Sequence, residues 1–399
     1  MKEPKMRLKG FTGEWIESTI GEISTSFSGG TPSAGIAQYY GGNIPFIRSG
    51  EINEDKTQLF ITEEGLNSSS AKLIDKGTLL YALYGATSGE VGISKISGAI
   101  NQAILAILPK KGFSSEYLSH YLRAKKNNIV KTLLQGGQGN LSGALVKRVR
   151  ISLPSNYKEQ ESVSQCFTSI DILIQSTTKK IESLKQVKAA SLQSMFPQEG
   201  ETKPRVRFKG FEGEWEKVPL NDILEERNEK SRKTLEYPLM AFIAYKGVAP
   251  KGERYDRSAL VNDVENKIYK KTEYGDFIYS SNNLETGSIG LNSYGKATIS
   301  PVYSIFRCKD MIDFNFIGRR LVCRDIINEM IKWRQGVVYG QWRIHEKDFL
   351  TINILLPSYQ EQTKIGDYFS NLDIQIILQT QRLEKLKQIK SACLDNMFV

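Results

Sequence analysis

Apolar side chains recur at alternating spacings of four and three residues along two stretches of the chain. The first stretch runs from Val163 to Met195 and the second from Ile365 to Met397. Spacing of this kind, sustained over about four heptads, predicts helices that pair along an apolar seam. The predicted seam residues are Phe167, Ile170, Ile174, Ile181, Leu184 and Met195 in the first helix and Phe369, Leu372, Ile376, Leu383, Leu386 and Met397 in the second.

Prolines bound both predicted helices. Pro154 and Pro357 exclude an earlier start, and Pro197 ends the first helix. At ~1.5 Å per residue, helices of about 38 residues would be roughly 57 Å long. Two amphipathic helices that each pack on their own domain are the alternative, but the length and the matching seams favour pairing with each other. Four polar residues interrupt the seams at corresponding positions and are expected to set the register or to mark where a third partner packs: Thr177, Gln379, Lys188 and Lys390.

The residues before each predicted helix have a different pattern of hydrophobic positions. Short apolar or alternating runs, such as those at 44–47, 78–84 and 100–108, are separated by Gly, Pro, Ser and Asn. Such runs predict the strands of a mixed α/β domain, with helices near 115–126 and 316–334.

Four sequence patterns occur twice, in the same order and about 200 residues apart. A period of that length is far too long for a solenoid repeat, so each half is a domain followed by a helix. We therefore predict an α+β chain with two homologous mixed α/β domains and two long helices. The paired patterns are 7–15 and 207–215, 77–92 and 275–290, 137–138 and 340–341, and 158–196 and 360–398. The expected boundaries are 1–150 and 201–352 for the domains and 151–200 and 353–399 for the helices.

Composition narrows the class of protein. The chain has 399 residues, 40% of them hydrophobic, and a net charge of +10. It has no apolar run of the ~20 residues that would span a membrane and no secretion signal, so we expect a cytoplasmic protein without a membrane partner. Four cysteines without a C-x-x-C pair and two histidines make a zinc site improbable and indicate reduced thiols.

The common catalytic motifs are missing from the sequence. Gly290, Gly295 and Lys296 mimic a phosphate loop, but Ala297 stands where magnesium binding needs Ser or Thr. The sequence lacks the Pro-Pro dipeptide of an adenine-methyltransferase catalytic loop and the Pro-Asp and acidic-x-Lys triad that is usual in nucleases. The motifs G-x-S-x-G and H-E-x-x-H are also absent from it. His120 and His345 occupy non-equivalent places in the two halves, so neither is a base duplicated with the fold.

Binding to a polyanion is the better hypothesis. Clustered positive charge supplies affinity for phosphates, whereas base reading needs polar, cationic and aromatic side chains on loops. Both halves carry such loops at matching places, although plain surface turns are an equally good explanation for any single loop. The candidate contact residues are Thr31, Ser33, Arg48, Tyr84, Thr87, Ser88, Gln135, Gln138, Asn140, Arg227, Lys230, Arg232, Lys233, Lys246, Ser281, Asn282, Asn283, Tyr339, Gln341 and Arg343.

These features together resemble the specificity subunits of type I restriction-modification systems. The resemblance covers essentially the whole chain. It is carried by GGTPS…GGNIPFIRSGEI at 29–52, LLYALYGATSGEVGI…AINQAIL at 79–105, QGNLSGALVKRVRISLPS…EQ at 138–160 and the repeated K-G-F-x-G-E-W motif. The second domain departs from the GGTPS pattern and has 227–233 and AFIAYKG at 241–247 instead.

The resemblance implies two target-recognition domains, at about 16–150 and 216–352, joined by two antiparallel helices with a pseudo-twofold relation. Each domain would read one half of a bipartite site in double-stranded DNA, and the helices would fix the unread spacer. Two methyltransferase subunits would dock on the helices and domains, and restriction subunits would complete the complex. S-adenosylmethionine, ATP and Mg²⁺ would belong to those partner subunits, so no cofactor, metal site or catalytic residue is expected here. A duplicated coiled-coil adaptor that binds only proteins is the alternative.

Overall fold

In the computed structural model the described residues are 4–134, 141–250, 267–337 and 341–398. The chain divides into two compact units inside the long helices. Unit 1 comprises Met1–Thr178 and Gln381–Val399, and unit 2 comprises Lys179–Thr380. Each unit therefore contains one mixed domain and part of both long helices. The boundaries expected at 150, 200 and 352 instead separate the domains from the helices along the sequence.

Unit 1 is built from short strands and helices. Its strands are β1 (Trp15–Thr19), β2 (Ser24–Ser28), β3 (Tyr40–Ile47), β4 (Phe60–Ile61), β5 (Lys72–Ile74), β6 (Leu79–Ala82), β7 (Val91–Ile93), β8 (Gly98–Ile100), β9 (Ile104–Pro109) and β10 (Arg150–Pro154). Its helices are α1 (Ile20–Ile23), α2 (Glu63–Asn67), α3 (Ser115–Ala124), α4 (Lys126–Leu134), α5 (Gly143–Lys147) and the first part of α6 (Tyr157–Ser194).

Unit 2 follows the same plan with more strands. They are β11 (Glu216–Pro219), β12 (Leu224–Glu226), β13 (Lys230–Ser231), β14 (Ala241–Ile243), β15 (Gly247–Ala249), β16 (Tyr269–Thr272), β17 (Phe277–Tyr279), β18 (Ile289–Leu291), β19 (Ala297–Ile299), β20 (Ser304–Cys308), β21 (Gln335–Val337), β22 (Gln341–Arg343) and β23 (Asn353–Leu356). The helices are α7 (Leu220–Ile223), α8 (Phe314–Arg320), α9 (Arg324–Lys332), α10 (Glu346–Leu350) and α11 (Tyr359–Met397), which ends in unit 1.

The two domains share a four-stranded and a two-stranded sheet of the same topology, whereas their other sheets differ. The order β2-β9-β6-β7 in unit 1 corresponds to β12-β20-β17-β18 in unit 2. The central strands β6 and β17 are buried at every position, as apolar runs between covering layers should be. In both units the first strand pairs antiparallel with the strand before a long helix, β1 with β10 and β11 with β23. Both ends of each domain therefore meet where that helix begins.

The predicted strands and helices are largely present, but two of them are each split into two elements. The run at 100–108 is interrupted, because β8 ends at Ile100 and β9 begins at Ile104. The helix expected near 316–334 is two helices, α8 and α9, separated where Cys323 takes an extended conformation. The apolar run at 44–47 lies within β3.

The seam positions of the two long helices face inward. All of them are buried or half-buried, whereas the positions between them are mostly exposed. In unit 1, Phe167 stacks on Phe398 and Asp171 pairs with Lys390, so α11 runs antiparallel to α6. In unit 2 the equivalent ion pair joins Lys188 to Asp373. The predicted helix pairing is thus confirmed within each unit, and both seam lysines contribute an interhelical ion pair.

A buried arginine–glutamate pair ties the K-G-F-x-G-E-W segment to the start of each long helix. In unit 2 the Nε atom of Arg207 donates to Glu361 at 2.6 Å, and its second amino group donates to the other carboxylate oxygen at 2.7 Å. In unit 1, Arg7 and Glu159 form the same bidentate pair at 2.7 and 2.8 Å. Both carboxylates are inaccessible to solvent. The two parallel charge-assisted hydrogen bonds fix the orientation of each arginine relative to its glutamate.

The next residue along each helix is a buried glutamine that joins three segments. In unit 1, Gln160 accepts from the backbone N–H of Ser114 at 3.0 Å and donates to the carbonyl of Pro154 at 2.9 Å. In unit 2, Gln362 bonds the N–H of Asp313 at 3.1 Å and the carbonyl of Pro357 at 2.9 Å. Each Glu-Gln dipeptide therefore fixes a long helix to its own domain.

We predict that Glu361→Gln destabilises unit 2 by about 3 kcal/mol, because it leaves the Arg207 guanidinium in a partly buried site without its charge partner. Differential scanning calorimetry would show the unit 2 transition at a lower temperature. The matched control is Glu236→Gln, which removes an ion pair with Lys296 in unit 2 that is more than half exposed and should leave the transition unchanged. Equal effects of the two variants would contradict the assignment.

Candidate nucleic-acid interface

In unit 1 the candidate loops converge on the segment Asn101–Ala103. Strands β3 and β8 are parallel, with Ile47 opposite Ile100, so the residues that follow them, Arg48 and Asn101, lie side by side. The N–H of Asn101 donates to the carbonyl of Ile47 at 3.3 Å.

Two further loops reach the same segment. The hydroxyl of Thr31 bonds Gln102 at 2.5 Å, and the N–H of Leu83 donates to the carbonyl of Ala103 at 2.8 Å. Leu83 leads directly into the turn that carries three candidate residues. These contacts bring Thr31, Arg48, Tyr84, Thr87 and Ser88 to one edge of unit 1, and Ser33 follows Thr31 by two residues in the same loop.

Local bonds hold two of these side chains, Arg48 and Ser88, in place. The guanidinium of Arg48 binds both oxygens of Glu51 at 2.9 and 3.2 Å, and 47% of its side chain stays exposed. Burial opposes the ionised form of Glu51, but hydrogen bonds from Arg48 and Gln58 hold its pKa below the ordinary value. The hydroxyl of Ser88 donates to the carbonyl of Leu83 at 3.2 Å and closes the turn.

In unit 2 some of the candidate residues border a polar cavity of about 220 Å³. Four of them line its wall together with several residues that the sequence did not single out. The lining comprises Lys270, Ser281, Asn282, Pro301, Val302, Ser304, Gln341, Trp342, Arg343, Ile344 and Glu346. Asn283 follows in the same loop as Ser281 and Asn282 and is exposed.

Charged groups form the inner wall of this cavity. Lys270 is 7% exposed, and its ammonium donates to the carbonyl of Tyr303 at 3.1 Å. The carboxylate of Glu346 accepts from Ser304 at 2.9 Å and from Arg343 at 3.3 Å. Burial works against ionisation of Glu346, yet these bonds and the charge of Lys270 keep its pKa below the ordinary value.

The basic stretch near residue 230 separates into two kinds of side chain. Arg227 is largely buried and forms ion pairs with Glu229, Glu273 and Asp276 at 3.3, 3.2 and 2.9 Å, so it is part of the fold of unit 2. Lys230, Arg232 and Lys233 are exposed, and Lys230 lies opposite Lys270 in the β13–β16 ladder.

Of the remaining candidate residues, Lys246 alone lies within the described ranges. Lys246 is exposed in the turn between β14 and β15, apart from the cavity lining. The candidates Gln135, Gln138, Asn140 and Tyr339 lie outside the described residues.

Sequence reasoning missed the residues that join the loops. Gln102 and Lys270 lie on segments that carry no loop motif, and Glu346 starts a helix. Trp342 did carry a signal, since the first copy has Gly139 at the corresponding position. A large aromatic that replaces glycine in one copy of a duplicated contact loop marks a difference in what that loop touches.

The long helices also expose apolar side chains at duplicated positions. Ile172 and Ile374, at equivalent places on α6 and α11, are 59% and 54% exposed. Val187 and Ile389 form a second equivalent pair, at 44% and 43%. Because Ile172 follows Asp171 and Ile389 precedes Lys390, they lie at the same level of the helix pair in unit 1. Unit 2 repeats this arrangement with Val187 and Ile374.

The two histidines lie in different surroundings. His120 is buried against Phe167, and burial together with the charge of Arg123 lowers its pKa to about 4. His345 is the residue before α10. Within the described ranges, no three metal-binding side chains cluster, and no helix has the length and apolar character needed to cross a membrane.

Comparison with known proteins identifies relatives of the whole chain. A family profile described as "Type I restriction modification DNA specificity domain" matches residues 12–186 and 212–388. The chain is 24% identical to the type I restriction enzyme MjaIX specificity subunit of Methanocaldococcus jannaschii, with 96% of this chain and 92% of that protein covered. It is 26% identical to the EcoR124I/EcoR124II specificity subunit of Escherichia coli over 42% of this chain and 43% of that one.

A solved structure has the same fold. The type I restriction-modification S subunit from M. genitalium aligns with a TM-score of 0.63 at 15% identity, covering 100% of this chain and 99% of that chain.

Proposed function

Since the chain belongs to the family of type I restriction modification DNA specificity domains, we propose that it is the specificity subunit of such a system and that each unit reads one half of a bipartite DNA target. The observation that carries this proposal is the duplication itself. Two copies of one frame each gather their polar and cationic loops at one place, and the loop residues differ between the copies.

The side chains at these places suit base and phosphate contacts. Unit 1 presents Arg48 and Gln102, and unit 2 presents Asn282, Gln341 and Arg343. Arginine pairs with guanine, and asparagine or glutamine with adenine, at the edges that a DNA groove exposes. Exposed Lys230, Arg232 and Lys233, within a chain of net charge +10, supply phosphate contacts without sequence preference.

The paired helices would set the distance between the two half-sites. At 38 and 39 residues, helices of roughly 57 Å can carry two domains over half-sites about one DNA turn, ~34 Å, apart. The bases between the half-sites would then remain unread.

The proposed partners are two methyltransferase subunits, with restriction subunits in the full complex. The exposed apolar residues Ile172, Val187, Ile374 and Ile389 offer two equivalent docking patches, which match two copies of one partner. S-adenosylmethionine, ATP and Mg²⁺ would be bound by those subunits, so this chain would contribute recognition and no catalytic group. We place the complex in the cytoplasm.

A duplicated adaptor that binds proteins alone is the alternative function. The ionic-strength dependence of DNA affinity separates the two, because neutralised phosphates release counterions. We expect the affinity of the assembled complex for target DNA to fall steeply and log-linearly as salt rises from ~50 to ~200 mM. A protein-binding adaptor would show no affinity for DNA above that of a scrambled duplex.

Insertion or removal of four residues in one helix seam should change the length of the unread spacer while both half-sites stay the same, because about one helical turn is added or lost between the domains. Modified-base sequencing of DNA methylated by the variant complex would measure this. A variant that changes the bases read would contradict the role of the helices as a spacer.

Ile172→Asp should remove one of the two methyltransferase subunits, because a buried, unpaired carboxylate would be left in that interface. Native mass spectrometry would then detect a complex with one such subunit in place of two. Ile374→Asp should have the same effect, and the double variant should bind none. The control is Leu73→Asp, which lies on β5 away from the helices and is 57% exposed. Two bound subunits in both single variants would contradict this docking site.

A further inference from the structure

Trp342 is an unusual side chain for the wall of a polar cavity. It is 49% exposed, although its large apolar ring would normally be covered. The corresponding residue in the first copy is Gly139, so the aromatic ring belongs to the second recognition domain only. No described residue forms a ring contact or a cation–π contact with it.

The backbone of Trp342 is held firmly. Its N–H donates to the side-chain oxygen of Asn282 at 2.6 Å, and the N–H of Ile344 donates to the hydroxyl of Ser281 at 3.0 Å. On its other edge, β22 pairs with β21, where Trp342 lies opposite Gly336. The indole therefore stands on a strand that is fixed from both sides.

The loop that holds this strand is itself anchored. The Nε atom of Arg334 donates to the carbonyl of Ser281 at 3.0 Å. The two amino groups of Arg334 bind Glu285 at 2.7 and 2.6 Å. A ring presented on such a rigid support loses little conformational entropy when a flat partner stacks on it.

The inner wall beside the ring is suited to an anion. Lys270 and Arg343 both line the cavity, and Lys230 lies opposite Lys270 in the β13–β16 ladder. Glu346 holds Arg343 in place through one carboxylate oxygen and is itself fixed by Ser304. An anionic group in the cavity would accept charge-assisted hydrogen bonds from Lys270 and Arg343.

We propose that this cavity receives one nucleotide of the half-site that unit 2 reads. The base leaves the helical stack and lies on the indole of Trp342, while the adjoining phosphate contacts Lys270 and Arg343. Aromatic side chains stack on any base, and lysine and arginine bind phosphate through charge-assisted hydrogen bonds. This inference rests on the proposed function and adds an asymmetry, since the first copy of the sequence has Gly139 where the second has Trp342, and unit 1 would read its half-site without such unstacking.

The test uses the complex of the full chain with its methyltransferase subunits and duplexes that carry the bipartite target. Trp342→Ala should weaken binding between about 5-fold and 100-fold, the range typical of one stacked base, and Trp342→Phe should retain most of the affinity. Trp333→Ala is the matched control, because this ring is 39% exposed but does not line the cavity.

Measuring the affinity for duplexes that each carry a single mismatch distinguishes a base-binding role of Trp342 from a role in packing alone. A base that must leave the stack does so at lower cost when it is mismatched, so a mismatch there tightens binding. The bases extruded for methylation should respond in this way in both half-sites. We expect one additional base position, only in the half-site of unit 2, at which a mismatch tightens binding. In Trp342→Ala a mismatch at that position should no longer tighten binding. Lys270→Met should lower the salt slope of binding by about one phosphate contact.

The outcomes separate this inference from the proposed function. Affinity of Trp342→Ala within twofold of the natural chain, or an unchanged mismatch profile, would overturn the nucleotide site while leaving bipartite reading intact. Absence of sequence-specific binding by the natural complex would overturn both.

Discussion

A glutamate followed by a glutamine at the start of each long helix is the constraint on which the rest of the fold depends. Glu159 and Glu361 hold the arginine of the segment before the domain, and Gln160 and Gln362 hold the cap of a domain helix and the strand that leads into the long helix. All four side chains are almost fully buried. The position of each domain on its helix is therefore fixed by a few directional bonds, whose loss would leave buried polar groups unpaired.

This attachment allows the contact loops to diverge without disturbing the frame. One four-stranded sheet, the Glu-Gln pairs and the interhelical ion pairs occur in both units. The candidate contact loops share few residues, and Trp342 at the cavity of unit 2 corresponds in sequence to Gly139 of the first copy. A protein that must read two different short sequences needs this combination of a constant frame and variable loops.

The sequence predicts the frame better than the site, for a physical reason. The heptad seams and the duplicated motifs are periodic or repeated along the chain, so they can be recognised without knowledge of the fold. The cavity of unit 2 draws Lys270, Asn282, Ser304 and Trp342 from four separate segments, and only tertiary structure brings them together. Charge alone also misleads, since Arg227 belongs to a basic cluster in sequence but is enclosed by three carboxylates in the fold.

The most direct test of the central claim is modified-base sequencing of DNA from a methylation-free host that expresses this chain with its methyltransferase subunit. The account predicts methylation at a bipartite motif with an unread gap, and replacement of residues 16–150 by those of a related chain should change one half of the motif only. A complex that assembles but methylates no defined motif, or a replacement that changes both halves, would contradict it.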